Sequence, residues 1–343
     1  MPHRTFLTFI WPSALAMLLF IALPIVSVGV QSFFIEHEQV LQTVKNCGPF
    51  GCDEVTVVDT EATEALKQAA PLGRFNGFGT YTNRNHLAFE EVGLAWHNAG
   101  SVSGFFSALM NLPFYKALAF TLTYTFVVTP LVIILGFIVA LAVNKLPGFV
   151  KGPTIFVSLL PMIVTPLIGS LILFWMIDAK GVIGGTLQLL FDDPDLSLKA
   201  SPTLTWITLM VYGVWHSAPF AFVVFYAGLQ TVPQDTLESA MVDGATRWQQ
   251  VIHVIVPHLM PLVVFISLIQ LMDNFRVFEP IVGFNAQASA TSLSFIIYND
   301  LRSSDGAMLF GSAAATSMLT IVGVCILLTP VILRTWRANR RAA

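Results

Sequence analysis

Asp273, Asn274, Arg276 and Glu279 put three charges and an amide at the edge of a long apolar run, where charge is costly and by default marks a functional site. Asp273 to Arg276 and Arg276 to Glu279 are both spaced i, i+3, so self-neutralising pairs on one helix face are the structural alternative. An unpaired Arg276 would instead present a planar, bidentate donor suited to phosphate, sulfonate or carboxylate. Elsewhere, Cys47-Gly-Pro-Phe-Gly-Cys52 sets two thiols either side of a turn-forming sequence. A local disulfide, two free thiols and a metal site all remain open there, the metal being disfavoured because no second ligand pair has suitable spacing. Nucleotide chemistry has no visible home: Gly181-Val-Ile-Gly-Gly185 lacks the lysine of a phosphate loop, and His253 and His258, five apart, do not share a helix face. No catalytic residues, no bound cofactor and no metal are expected of this chain. With a net charge of -3 and no basic, aromatic-interleaved patch, nucleic acid is not an expected partner.

The elements that position these residues must lie in a bilayer. The chain of 343 residues is 55% hydrophobic and 11% charged, with mean hydropathy +0.74, against about 25% charged residues in an ordinary soluble domain. Six apolar stretches, 6–30, 117–143, 154–177, 204–229, 258–279 and 307–333, are each long enough to cross a membrane as a helix. The first, behind Arg4, is too long for a secretory signal core and reads as a retained anchor over residues 1–30. Lys145 and Lys151 in a short loop, and Arg334, Arg337, Arg340 and Arg341 in the tail 334–343, place those segments and both termini in the cytoplasm. Residues 31–116, with Glu36, Glu38, Asp53, Glu54, Asp59, Glu61, Glu64, Glu90 and Glu91 among glycines, then form an extracytoplasmic cap. The expected fold is an all-α membrane protein of six transmembrane helices, with the extracytoplasmic insertion after the first span and a five-helix core over 117–333. Cys325, mid-span, reads as a small packing residue.

Between the fourth and fifth stretches lies a polar, glycine-broken segment, 232–257. Asp235 can cap a helix start with Glu238 three residues on, and that helix should end near Val242. Gly244 permits a sharp reversal at positive φ; a second amphipathic stretch, Thr246 to Ile255, should stop at Pro257. Small Ser239, Ala240 and Ala245 allow another protein close to the backbone. A plain structural elbow, with Glu238 only capping, fits the local chemistry too.

The run Val232-Pro233-Gln234-Asp235-Thr236-Leu237-Glu238-Ser239-Ala240-Met241-Val242-Asp243-Gly244-Ala245-Thr246-Arg247-Trp248, followed by Val254-Ile255-Val256-Pro257, resembles the EAA loop of ABC importer permeases. The family pattern is E-A-A, three residues, G, nine residues, then I-x-L-P; Ser239 replaces an alanine, and valines replace the isoleucine and leucine. The Val242-to-Trp248 context is similar to the carbohydrate-uptake, maltose-permease-like branch. Gly228-Leu229-Gln230, Leu160-Pro161 and Asp178-Ala179-Lys180-Gly181-Val182-Ile183 are supporting landmarks; residues 40–80 exceed the compact members.

The resemblance implies a permease of the bacterial inner membrane that moves a sugar or sugar derivative inward by alternating access. It implies a second permease, two ATP-binding subunits that carry ATP and Mg, and an extracytoplasmic solute-binding protein as partners, besides membrane lipid. Glu238, Ser239, Ala240, Asp243, Gly244, Ala245 and Pro257 would form the coupling element. A Trp-x-x-x-Pro-aromatic turn would bring Gly213, Trp215, Ser217 and Phe220 to the sugar, and Asn274 aligns with a sugar-contacting position beside Asp273 and Arg276. Ordinary helix packing is the alternative for that turn, and an unpaired Arg276 would make an anionic carbohydrate attractive. An ion-driven secondary transporter of a small polar solute is the rival class, although no inverted internal repeat is visible.

Overall fold

The structure, a computed structural model, describes residues 3–48, 51–302 and 308–342. It divides into two compact units, Met1–Lys116 with Ile296–Val322, and Ala117–Phe295 with Gly323–Ala343. Among the described residues, five helices are long and apolar enough to cross a membrane: Thr8–Gln31, Pro113–Asn144, Pro202–Leu229, Arg247–Phe275 and Phe310–Arg334. A sixth span exists only if the bent pair Gly148–Ile163 and Pro166–Met176 is counted as one.

That pair corrects the expectation of a continuous third span. The two helices meet at 94°, and the break falls on Val164 (φ -75°, ψ 127°) and Thr165 (φ -62°, ψ 143°). Pro166 is the cause, because its ring pushes the residue before it out of the helical region. Breaking a helix in an apolar setting strands carbonyls, which need new donors. The Tyr212 hydroxyl donates to the Pro166 carbonyl at 2.8 Å, and His216 Nε2 lies 3.1 Å from the Val164 carbonyl. The Pro202–Leu229 helix thus pins the break.

The fifth span also differs from expectation. Instead of stopping at Pro257, the second amphipathic stretch runs on: Arg247–Gln250 passes through a π-turn, Val251–Ile255, into Val256–Phe275 without a break. The wider turn accommodates Pro257, which has no N–H to offer a regular helix. The span ends at Phe275, before Glu279, which instead opens the short helix Glu279–Gly283. The unit's core gathers Phe120, Tyr124, Val128, Leu209, Tyr212, Phe222, Phe225, Leu259, Ile266 and Ile281.

In the other unit, the first span carries no buried residue. The insertion that follows adds strands absent from the all-α expectation. Leu41–Gly48 pairs antiparallel with Gly51–Val58, putting the backbone of Cys47 opposite that of Cys52; their side chains, and hence the disulfide, lie outside the described residues. Asp59 caps the next helix, Thr60–Ala69, by accepting from the Ala62 N–H at 2.9 Å. Cys325, which belongs to the unit of Ala117–Phe295, is exposed on the last helix and so is not packed within this chain as expected.

The start of the helix Phe310–Ala342 is held by acidic groups, as the positive end of a helix favours. Glu36 accepts from the Gly311 N–H at 2.6 Å, and Asp300 accepts from the Ser312 hydroxyl at 2.6 Å. His86, fully buried, sits between Asn83 Oδ1 at 2.8 Å and Thr316 Oγ1 at 3.0 Å. Burial is the main influence and holds its pKa below the ordinary 6.5, against the Ser312 carbonyl and Asp300, which pull upward. A histidine with depressed pKa contributes stability that is present above about pH 6.5 and is lost as pH falls from there toward the folded value. Asp300, raised mainly by burial, contributes with the opposite sign: its stability is present below about pH 3.8 and is lost as pH rises from there toward the folded value. Between pH 7.5 and 5.5 the thermal midpoint of the purified protein should therefore fall more steeply than that of His86→Gln. Parallel curves would show that His86 does not titrate against folding.

Candidate functional site

The Pro113–Asn144 and Pro202–Leu229 helices, Pro166 at the bend, and the end of the Val256–Phe275 helix with the segment to Pro280 line an open cavity of about 420 Å³. That size lies within the roughly 300–1,000 Å³ of small-molecule sites. Tyr124 and Pro166 form part of its wall, Tyr212, Gly213, His216 and Ser217 another, and Asp273, Asn274, Arg276, Val277, Glu279 and Pro280 the third. Helical spacing explains the second wall: 213 and 217, like 212 and 216, are four apart and share a face.

Five of the expected substrate residues meet here: Gly213, Ser217, Asp273, Asn274 and Arg276. Trp215 and Phe220 do not line it. Trp215, two residues from Gly213, projects to the other side of the helix and lines an apolar recess with Ile172, Met176 and Val211. Phe220 lies seven residues, about 10 Å, further along the helix and packs its ring 6.5 Å from that of Phe265. Tyr124, Tyr212 and His216 line it without being expected from the sequence, and Glu279, marked there by its charge but given no sugar contact, lines it as well. The signal available for the first three was a polar ring inside an otherwise apolar span.

Gly213 is required by its neighbour. A Cβ at this position would lie 2.8 Å from Cζ of Tyr124 and nearer still to its hydroxyl, and Tyr124 is only 3% exposed. Asn274, 5% exposed, donates to Thr129 Oγ1 at 3.0 Å, which ties this wall to the Pro113–Asn144 helix. Arg276 Nη2 donates to Asp273 Oδ1 at 2.8 Å. The guanidinium is therefore paired along its own chain rather than standing unpaired in the cavity.

The segment 232–257 folds as a helix, a reversal and a second helix. Gln234–Val242 begins after Pro233, with no side-chain cap; Asp235 lies in the first turn and is not the N-cap expected of it. Gly244, at φ +82°, ends it: the Gly244 N–H donates to the Met241 carbonyl at 3.0 Å and the Ala245 N–H to the Ala240 carbonyl at 2.9 Å. These are the paired bonds of a Schellman stop, which needs the left-handed conformation glycine adopts freely. The reciprocal capping box lies downstream instead. Gln249 N–H donates to Thr246 Oγ1 at 3.3 Å, and Thr246 N–H donates to Gln249 Oε1 at 2.7 Å. Glu238, Ser239, Asp243, Gly244 and Pro257 are exposed, while Ala240 and Ala245 are half-buried. Around the bend the protein leaves apolar side chains in the open: Met241 at 55%, Val242 at 88% and Trp248 at 70% exposure. Among the described residues, no group of three or more His, Cys, Asp or Glu is placed to hold a metal ion.

Residues 100–336 match the family model described as binding-protein-dependent transport system inner membrane component. The chain belongs to that family. It is thus a multi-pass membrane permease subunit of an ABC transporter, a transport rather than an enzymatic component, with ATP hydrolysis on separate subunits. Membership decides against the ion-driven carrier. Among relatives, a trehalose/maltose transport system permease of Thermococcus litoralis is 28% identical over 66% of this chain and 76% of its own. A probable ABC transporter permease of Sinorhizobium fredii is 30% identical over 68% and 74%. In fold, the family member is similar to a chain from a bacterial ABC transporter that imports the acidic polysaccharide alginate. The TM-score is 0.58 at 21% identity, covering 73% of this chain and 90% of that one.

Proposed function

We infer that this permease imports a sugar or sugar derivative, taking it from an extracytoplasmic binding protein into a central path shared with a second permease. Relatives named for trehalose, maltose and arabinooligosaccharide transport support the cargo class. The cavity supports it too, with aromatic rings, a hydroxyl and carboxylates of the kind that bind polyols. In this reading both termini and the basic tail 334–343 are cytoplasmic, residues 31–116 are extracytoplasmic, and 232–257 lies on the cytoplasmic face. Two ATPase subunits, carrying ATP and Mg, dock beneath. One receives the helix Gln234–Val242 in a surface cleft, with Glu238 at the docking surface. ATP-driven closure moves the helix, and the spans switch their opening from one side to the other.

The observation that carries the reading is the rigid bend with Met241, Val242 and Trp248 exposed around it. Met241 and Val242 lie outside the apolar spans, at the end of a polar helix, where open apolar side chains suit a surface that docks a partner. The test is reconstitution of the permease with its partner permease, ATPase and binding protein in liposomes loaded with ATP. Uptake of labelled maltose or trehalose that needs both internal ATP and the binding protein is expected. Uptake driven by an ion gradient without ATP would overturn the reading.

A further inference from the structure

The cavity wall at 273–279 holds two carboxylates and one guanidinium, a formal balance of -1. The guanidinium charge is balanced within the chain: Arg276 Nη2 binds Asp273 at 2.8 Å and its Nε donates to the Met272 carbonyl at 3.4 Å. What remains is Glu279. Its carboxylate makes no hydrogen bond or ion pair among the described residues, yet its place is fixed: it opens a helix whose next residues, Pro280 and Ile281, are buried. The Ser170 hydroxyl also reaches the Glu279 carbonyl at 3.5 Å. An ionised carboxylate only accepts hydrogen bonds, so its natural ligand is a donor such as a hydroxyl pair. A carboxylate or sulfate on a ligand would instead meet the one uncompensated negative charge of this wall, and like-charge juxtaposition suppresses wrong partners.

We propose that Glu279 is a specificity-determining residue that accepts hydroxyls of an uncharged sugar, and that this wall rejects carboxylated or sulfated sugars. The proposal rests on the sugar-import reading and narrows it. It also parts from the alginate importer, to which the likeness is one of fold.

Uptake by the reconstituted transporter, with the same binding protein in every preparation, would be compared for maltose and for a disaccharide containing glucuronic acid. Using one binding protein throughout cancels its own preference when each variant is divided by the parent. Glu279→Gln should raise the KM for maltose by about tenfold, as losing a charge-assisted bond does. It should also shift the maltose-to-glucuronide ratio toward the acid by a similar factor. Arg276→Gln should not diminish glucuronide relative to maltose. Two outcomes overturn the proposal: a ratio and KM unmoved by Glu279→Gln, or preferential glucuronide uptake by the parent that Arg276→Gln abolishes. If ATP-dependent uptake is absent for every sugar, the cargo reading itself has failed, and Glu279 loses its proposed role with it.

Discussion

Replacing Gly244 by proline should reduce substrate-stimulated ATPase activity and uptake to background, while the chain remains in the membrane at parental abundance. Proline fixes φ near -65°, whereas residue 244 sits at +82° and uses its N–H to bond the Met241 carbonyl. The substitution therefore removes both the conformation and one of the two bonds that stop the Gln234–Val242 helix. The apolar spans are untouched, since the bend lies outside all of them except the first turns of Arg247–Phe275. Gly244→Ala separates conformation from crowding. A Cβ there meets nothing within 4 Å, so its cost is that of the left-handed backbone alone, about 1–2 kcal/mol, and partial activity should survive. Parental stimulation in the proline variant would remove the bend from the coupling path.

Gly213→Val should abolish uptake while basal ATPase activity persists. The added methyls would occupy the place of the Tyr124 hydroxyl, and the ring cannot swing aside because Tyr124 is packed in the core with Phe120 and Tyr212. The wall would have to move, and overpacking of this kind costs about 1–3 kcal/mol. Tyr124→Phe provides the control. It deletes the hydroxyl that a Cβ at 213 would strike first but leaves Cζ at 2.8 Å, so Tyr124→Phe with Gly213→Ala should recover part of the uptake lost by Gly213→Ala alone. No recovery would mean that the contact does not limit the cavity.

The positions most legible in the sequence were those where a single residue type settles the backbone. Gly244 is one: its left-handed turn follows from its setting between two amphipathic stretches, and the helix before it ends at Val242, as that setting requires. The capping box was harder, because Asp235-x-x-Glu238 and Thr246-x-x-Gln249 carry the same pattern; only the second closes, since Pro233 already occupies the N-cap before the first. The bend at 164–166 had a local sign in Thr165-Pro166, but unbroken apolar composition across 154–177 reads as one rod. What compensates the bend, Tyr212 and His216, lies some fifty residues away, and no local pattern reports such pairing. The cavity was legible by half for a similar reason. Charges at 273–279 stand out against apolar surroundings, whereas whether Trp215 or Tyr212 faces inward depends on the rotation of one helix. The hairpin 41–58 escaped because its alternation is interrupted by charges and by Cys47 to Cys52.

The central claim is that the 232–257 bend is a cytoplasmic docking surface through which ATPase subunits move the membrane helices. Val242, 88% exposed beside Gly244, is the position to probe. In a chain with Cys47, Cys52 and Cys325 changed to serine, Val242→Cys should react with a membrane-impermeant maleimide in inside-out vesicles and not in right-side-out ones. Bound ATPase subunit should protect it. Labelling from the outer side, or labelling from the inner side that the ATPase leaves unchanged, would contradict the account.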